Sequence, residues 1–250
     1  MQKKTLVSAC LVISGVFLVF ILIILFFRPS GSDVGGTDTT AVHITSANGE
    51  ELPAFQYDGQ VAWIDVPGTA ISDAVMQADD NDYYLRRNEL GEDDIWGCYF
   101  MDYECTPQSQ NLIIYGHSLE DDENAERFSQ LKRFSSQSFA KEHQEIRLIY
   151  DGADMTYTVI SAGSADASTD TLALITNPTS ETMAQMLEAA RARSDVDFDL
   201  SGLSGVDVAD QLLTLVTCTS DTDTRYVVVA KRTPEGRDTT LCRLPFHRER

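Results

Sequence analysis

Seven short segments, each β-branched or aromatic and each closed off by turn residues, restrict this chain's possible folds more than anything else in its sequence. They are Val61–Val66, Cys98–Asp102, Asn111–His117, Glu145–Asp151, Met155–Ala162, Gln211–Cys218 and Tyr226–Arg232. An eighth, weaker run is Ala74–Gln77. Seven or eight such strands within about 200 residues predict a mostly β fold, a closed or nearly closed eight-stranded barrel rather than a doubly wound sheet. Two helical inserts interrupt the pattern. Ser180–Arg193 places Met183, Met186, Leu187 and Ala190 at i, i+3, i+4 and i+7, behind Pro178 and the cap residues Thr179 and Ser180. Glu123–Phe134 carries Phe128, Leu131 and Phe134 at near-helical spacing.

Ahead of this domain, Thr5–Phe27 is a run of 23 residues without a charge. At about 1.5 Å per residue a helix of that length spans a ~30 Å hydrocarbon core. A cleaved signal peptide would have a shorter apolar region and a small-residue cleavage site, whereas this run ends in Phe26-Phe27-Arg28-Pro29. Lys3 and Lys4 precede the run and Arg28 alone follows it, which favours a cytoplasmic N-terminus. The expected organisation is a cytoplasmic end (1–4), a single-pass transmembrane anchor (5–27), a flexible linker (28–50) rich in Gly, Ser, Thr and Asp, and an outer domain (51–250). Outside the first thirty residues stand 16 basic and 39 acidic side chains, a net charge of −23. Phosphate-backbone binding draws on clustered Lys and Arg, so nucleic acid is not expected as a partner. The acidic cluster Asp121, Asp122 and Glu123 lacks the ligand order and turn glycine of a calcium loop and reads as a solvated loop.

Chemistry concentrates at three strand ends. Thr214-Leu-Val-Thr-Cys218 and Arg225-Tyr-Val-Val-Val are joined by a six-residue polar loop and read as a hairpin. If Cys218 and Arg225 face each other across it, their Cβ atoms lie about 5 Å apart. A thiol of pKa ~8.5 is only roughly 3% thiolate at pH 7, so a nucleophilic cysteine needs a nearby positive charge or base. Arg225 supplies the charge. His117 is the second partner, because of the four histidines it alone ends a strongly apolar strand; Gly116 before it permits an unusual backbone there. Separately, each residue has an ordinary structural explanation: a core thiol, a turn histidine, a surface arginine. Cys98 reads as a buried free thiol beside Trp96, Tyr99 and Phe100, though a pair with Cys105 is open.

Taken together, Asn111-Leu-Ile-Ile-Tyr-Gly-His117, Thr214-Leu-Val-Thr-Cys218 and Arg225-Tyr-Val-Val-Val-Ala-Lys231 resemble the His, Cys and Arg motifs of sortases. Trp63-Ile-Asp-Val-Pro-Gly-Thr69 with Ile71, and Asp80-Asn-Asp-Tyr-Tyr-Leu85, are similar to that family's N-terminal strand and the segment after it, so the resemblance covers about residues 61–233. It implies a membrane-anchored cysteine transpeptidase of Gram-positive bacteria with an eight-stranded β-barrel. By that resemblance Cys218 is the nucleophile on a threonine carbonyl of a C-terminal sorting signal, forming a thioester. His117 is the general acid and then the base. Arg225 holds the substrate backbone or the oxyanion. The partners implied are sorting-signal-bearing surface proteins and an amine acceptor of peptidoglycan or a pilin. Asn81, Leu85 and Thr217 match substrate-binding positions. No metal or organic cofactor is implied.

The insert Ser180–Arg193 lies where class B sortases carry a helix that helps select the signal, and the chain has neither the Asp-Pro dipeptide of a class C lid nor a second apolar run. Val216 stands where class B enzymes often have serine. Two other readings remain in play: a cysteine hydrolase using the same three residues, and a non-catalytic surface β-domain with a buried Cys218.

Overall fold

The computed structural model describes residues 44–45, 51–118, 125–199, 210–218 and 223–233. The apolar run 5–27, most of the linker and the acidic cluster 121–123 lie outside these residues. Among the described residues no helix is long and apolar enough to cross a membrane.

Two sheets of different size are present among the described residues. β1 (Ile44–Thr45) and β2 (Glu51–Leu52) form a two-residue antiparallel ladder, so regular pairing begins inside the stretch read as linker. The remaining eight strands close into a barrel. They are β3 (Gln60–Asp65), β4 (Ser72–Met76), β5 (Tyr99–Met101), β6 (Asn111–Gly116), β7 (Glu145–Tyr150), β8 (Ala153–Asp166), β9 (Leu212–Cys218) and β10 (Thr224–Arg232). Around the barrel the order is β10-β8-β7-β3-β4-β5-β6-β9, with β9 hydrogen-bonded back to β10. Each expected segment forms its strand, with ends shifted by a residue or two except in β8. That strand runs on to Asp166 because its partner β10 starts at Thr224, directly opposite.

Apolar residues from all around the barrel build the interior: Ile64, Leu112, Ile114, Leu148, Leu215 and Val228 are fully buried. Burial alternates cleanly in β3, whereas in β6 and β10 the intervening Ile113 and Val227 are buried as well. A second, smaller apolar cluster of Ala74, Met76, Tyr84, Cys98 and Phe100 lies under the 3₁₀ turn Tyr83–Arg86.

Between β6 and β7 the expected continuous helix takes another form. Residues 125–127 are not helical, Phe128–Ser135 is a 3₁₀ helix, and a short helix α1 (Gln137–Glu142) follows. The reason is in the spacing. Phe128, Leu131 and Phe134 recur every three residues, and only a 3₁₀ helix stacks an i, i+3, i+6 set on one line. All three are fully buried.

α2 (Ser180–Arg193) forms with the predicted limits. Thr179 caps it by accepting a hydrogen bond from the Thr182 N–H at 3.2 Å. Met183, Met186 and Ala190 are buried, and Ser161 of β8 donates to the Ala190 carbonyl. At its C-terminal end the helix meets β8 backbone to backbone, and the Asp195 N–H donates to the Ala162 carbonyl at 2.8 Å. The approach depends on Gly163, where an added Cβ would lie 1.9 Å from the Arg193 carbonyl oxygen. Gly163→Ala is therefore expected to push the end of α2 off the sheet at a cost of about 3 kcal/mol. In a chain of this size that lowers the melting temperature by roughly 6–12 °C. A melting curve unchanged from wild type would show that the contact yields without cost.

Candidate active site

The arrangement of strands at one rim of the barrel brings the three sequence-predicted residues together. β6 and β9 are parallel neighbours, with Gly116 opposite Thr217. Parallel neighbours end at the same rim, so the next residues along the two chains, His117 and Cys218, come abreast. β10 runs antiparallel to β9 and starts where β9 ends, with Arg225 directly opposite Cys218. One register line across three adjacent strands therefore holds His117, Cys218 and Arg225.

His117 is half-buried. Its Nε2 lies 2.9 Å from the carbonyl oxygen of Leu85, so Nε2 carries the hydrogen and Nδ1 is the basic nitrogen. Burial pushes the imidazole below its ordinary value of 6.5, and the charges of Arg86 and Arg127 add to this. The Leu85 bond, second to burial in size, opposes the shift, and Asp94 opposes it least. The resting side chain is therefore a neutral imidazole at pH 7. Gly116 has an ordinary backbone, and its smallness serves a different purpose from the unusual conformation expected there. A Cβ at Gly116 would lie 2.7 Å from the Phe128 ring and 2.9 Å from that of Tyr99. Those rings stack with centroids 4.6 Å apart over the strand just before the histidine.

The three residues matched to substrate-binding positions have distinct surroundings. Asn81 is engaged at both ends of its amide: Nδ2 donates to Asp102 Oδ2 at 2.8 Å, and Oδ1 accepts from the Tyr103 N–H at 3.0 Å. Leu85 packs into the smaller apolar cluster and reaches the site through its carbonyl. Thr217 is only 1% exposed, so its side chain belongs to the interior.

A feature that sequence reasoning missed joins Asn81 to the rim. Tyr115, two residues before His117, donates to the same Asp102 Oδ2 at 2.9 Å, and Asp102 Oδ1 accepts from the Glu104 N–H at 2.9 Å. Burial and the adjacent carboxylate hold the Tyr115 phenol far above its ordinary value, with the Arg225 charge opposing. The period-2 spacing of Tyr115 and His117 was the available signal; the distant Asp102 was not visible in it.

Two other cysteines are unsuited to nucleophilic work. Cys98 and Cys105 are free, buried thiols. Burial pushes Cys105 up to about 12, and its Sγ accepts from the Ile113 N–H at 3.3 Å. Cys98 is raised further by the same cause. Val216 is likewise buried, 2% exposed.

Comparison with known proteins gives a consistent result. A family model described as "Sortase domain" matches residues 64–233. The sortase B of Listeria monocytogenes serovar 1/2a is 28% identical over 188 residues, 72% of each chain. Among solved structures, Clostridium perfringens sortase B superposes with a TM-score of 0.63 at 30% identity, covering 70% of this chain and 94% of that one. A Staphylococcus aureus sortase B–substrate complex gives 0.62 at 28% identity, over 70% and 80%.

Proposed function

Because the chain belongs to the sortase family of cysteine transpeptidases and is similar to class B members, we propose that Cys218, His117 and Arg225 carry out acyl transfer at the barrel rim. The observation that carries this reading is the register: His117 beside Cys218 through a parallel strand pair, and Arg225 opposite it through an antiparallel one.

The steps follow from the chemistry of these groups. Neutral His117 takes the thiol proton of Cys218, and the thiolate attacks the carbonyl carbon of a threonine in a sorting signal. Negative charge develops on that oxygen, and the Arg225 guanidinium, a rigid fork of donors that stays charged, stabilises it. The C–N bond then breaks. The imidazolium hands its proton to the departing amine, which leaves a thioester on Cys218. An incoming amine attacks the thioester, His117 takes its proton, and Cys218 departs as thiolate with the new amide formed. Partial burial of His117 supports this role, since it keeps the imidazole neutral and able to act as a base in the resting enzyme.

In its biological setting the enzyme is anchored by residues 5–27, with the N-terminus in the cytoplasm and the barrel outside the cell. It joins sorting-signal-bearing surface proteins to an amine of peptidoglycan or of a pilin. The helix α2, packed on β8 whose Ala165 lies opposite Arg225, is suited to border the bound signal.

The test uses the full chain with fluorogenic peptides of two motif types, Asn-Pro-Gln-Thr-like and Pro-x-Thr-Gly-like, with and without added amines. Products are identified by mass spectrometry. A peptide–amine conjugate joined at threonine is expected, with one motif type preferred. Cleavage without conjugate under every amine tried would identify a hydrolase instead, and intact peptide throughout would remove the sorting-signal substrate.

A further inference from the structure

The mechanism above uses the ring of His117 and leaves unexplained a half-buried arginine ten residues further on. Arg127 has φ 59° and ψ −146°, a backbone conformation that residues with a Cβ adopt only where the surroundings impose it. Its guanidinium is 19% exposed and lies 3.2 Å from Glu89 Oε1 and 3.8 Å from Asp73 Oδ2. It sits 5.5 Å above the centre of the Tyr99 ring. Its backbone bridges to Ser118, and the next N–H, of Phe128, donates to the carbonyl of His117 at 3.0 Å.

These contacts form a closed circuit. The His117 ring bonds the Leu85 carbonyl; four residues further along the same β4–β5 connection stands Glu89, which holds Arg127. Arg127 and Phe128 in turn hold the His117 backbone. The ring of His117 is thus fastened to this segment directly, and its backbone is fastened to the same segment by way of Arg127 and Phe128. We propose that Arg127 is a positioning residue for His117: it clamps the chain after the histidine to the segment that receives its Nε2–H, and so fixes the angle at which the imidazole meets the reacting groups. A flexible or neutral side chain at 127 would release the strained backbone and let the ring swing. The charged groups facing His117 are Arg86 and Arg127 on the positive side and Asp94 on the negative side. Loss of Arg127 therefore removes one positive neighbour and admits water, and both effects raise the proton affinity of the ring.

The proposal rests on His117 being the acid–base group, and its test keeps the two ideas apart. Histidine-labelled full chain is titrated by NMR as wild type, Arg127→Gln, Arg127→Lys and the double variant Glu89→Gln/Arg127→Gln, which leaves no uncompensated charge if the single variant folds poorly. Arg127→Gln and the double variant are expected to lose the slowly exchanging Nε2–H signal and to move the His117 midpoint upward, toward the ordinary histidine value. Arg127→Lys should recover part of the midpoint shift without recovering the protected N–H. On peptides the wild type processes, Arg127→Gln should lower kcat roughly 10- to 100-fold with KM little changed, as expected for a misplaced group. An unchanged His117 signal and midpoint in the folded variants, with only the melting temperature reduced, would overturn the proposal. Full activity of His117→Ala would refute the role of His117 in catalysis, while the NMR result would still decide whether Arg127 orients it.

Discussion

Cys218→Ala in the full chain is expected to abolish both peptide cleavage and amine transfer, a loss of roughly 10⁴-fold or more, because among the described residues no other cysteine stands at the rim to take over the covalent step. The two other cysteines among the described residues are buried and held as thiols, so neither can take over. The same asymmetry gives a direct chemical readout. Alkylation of folded protein at pH 7, mapped by peptide mass, should modify Cys218 quickly and leave Cys98 and Cys105 untouched until the protein is unfolded. Trapping with a slow peptide should yield a mass increase on Cys218 that hydroxylamine removes, as a thioester requires. Turnover that survives in Cys218→Ala, or a Cys218 inert to alkylation in folded protein, would sink the catalytic assignment and favour a non-catalytic surface domain.

The second large effect belongs to His117. His117→Asn keeps a polar side chain of similar length but cannot accept and release a proton near neutrality. Transfer should fall about 10²- to 10⁴-fold, the range for loss of a general acid–base group. Its pH dependence has a defined sign. The folded-state pKa lies below the ordinary 6.5, so the neutral base persists to lower pH than in a free histidine, and the acid limb of kcat/KM should lie below that value. For stability, the unfolded chain binds the proton more readily than the folded one. The contribution of a neutral, buried His117 is therefore present above pH 6.5 and is lost as pH falls from 6.5 through the lowered folded value. Urea midpoints of wild type and His117→Asn measured between pH 5 and 8 should converge on the acid side of that window. A wild-type excess that grows on acidification would contradict the observed burial.

Much of the barrel was legible because strand signals are local. β-Branched and aromatic runs between bounding turns located all eight barrel strands, and the 3.6-residue recurrence of Met183, Met186 and Ala190 located α2 at its observed limits. The Cys218–Arg225 pairing was also readable, since two strands joined by six residues can hardly do other than form a hairpin. The segment Phe128–Ser135 was misjudged because Phe128, Leu131 and Phe134 stand at near-helical spacing, whereas a strict three-residue recurrence lines up on one face only in a 3₁₀ helix. Gly116 was misjudged because its function lies in the space taken by Phe128 and Tyr99, which are distant in sequence or in another element.

By itself the sequence determined the chemistry available: a cysteine, a histidine and an arginine at strand ends, an apolar run long enough to span a bilayer, and an acidic domain after it without the basic clusters that bind nucleic acid. Only the tertiary structure decided how those groups meet. The parallel pairing of β6 with β9 joins residues about a hundred apart, and no local preference encodes it; it results from closing eight strands around one core. The same holds for the Leu85 carbonyl on His117, the Asp102 carboxylate shared by Asn81 and Tyr115, and the Arg127 clamp. Each joins separate segments that a closed barrel brings within hydrogen-bond reach, and hydrogen bonds act over about 3 Å whatever the separation along the chain.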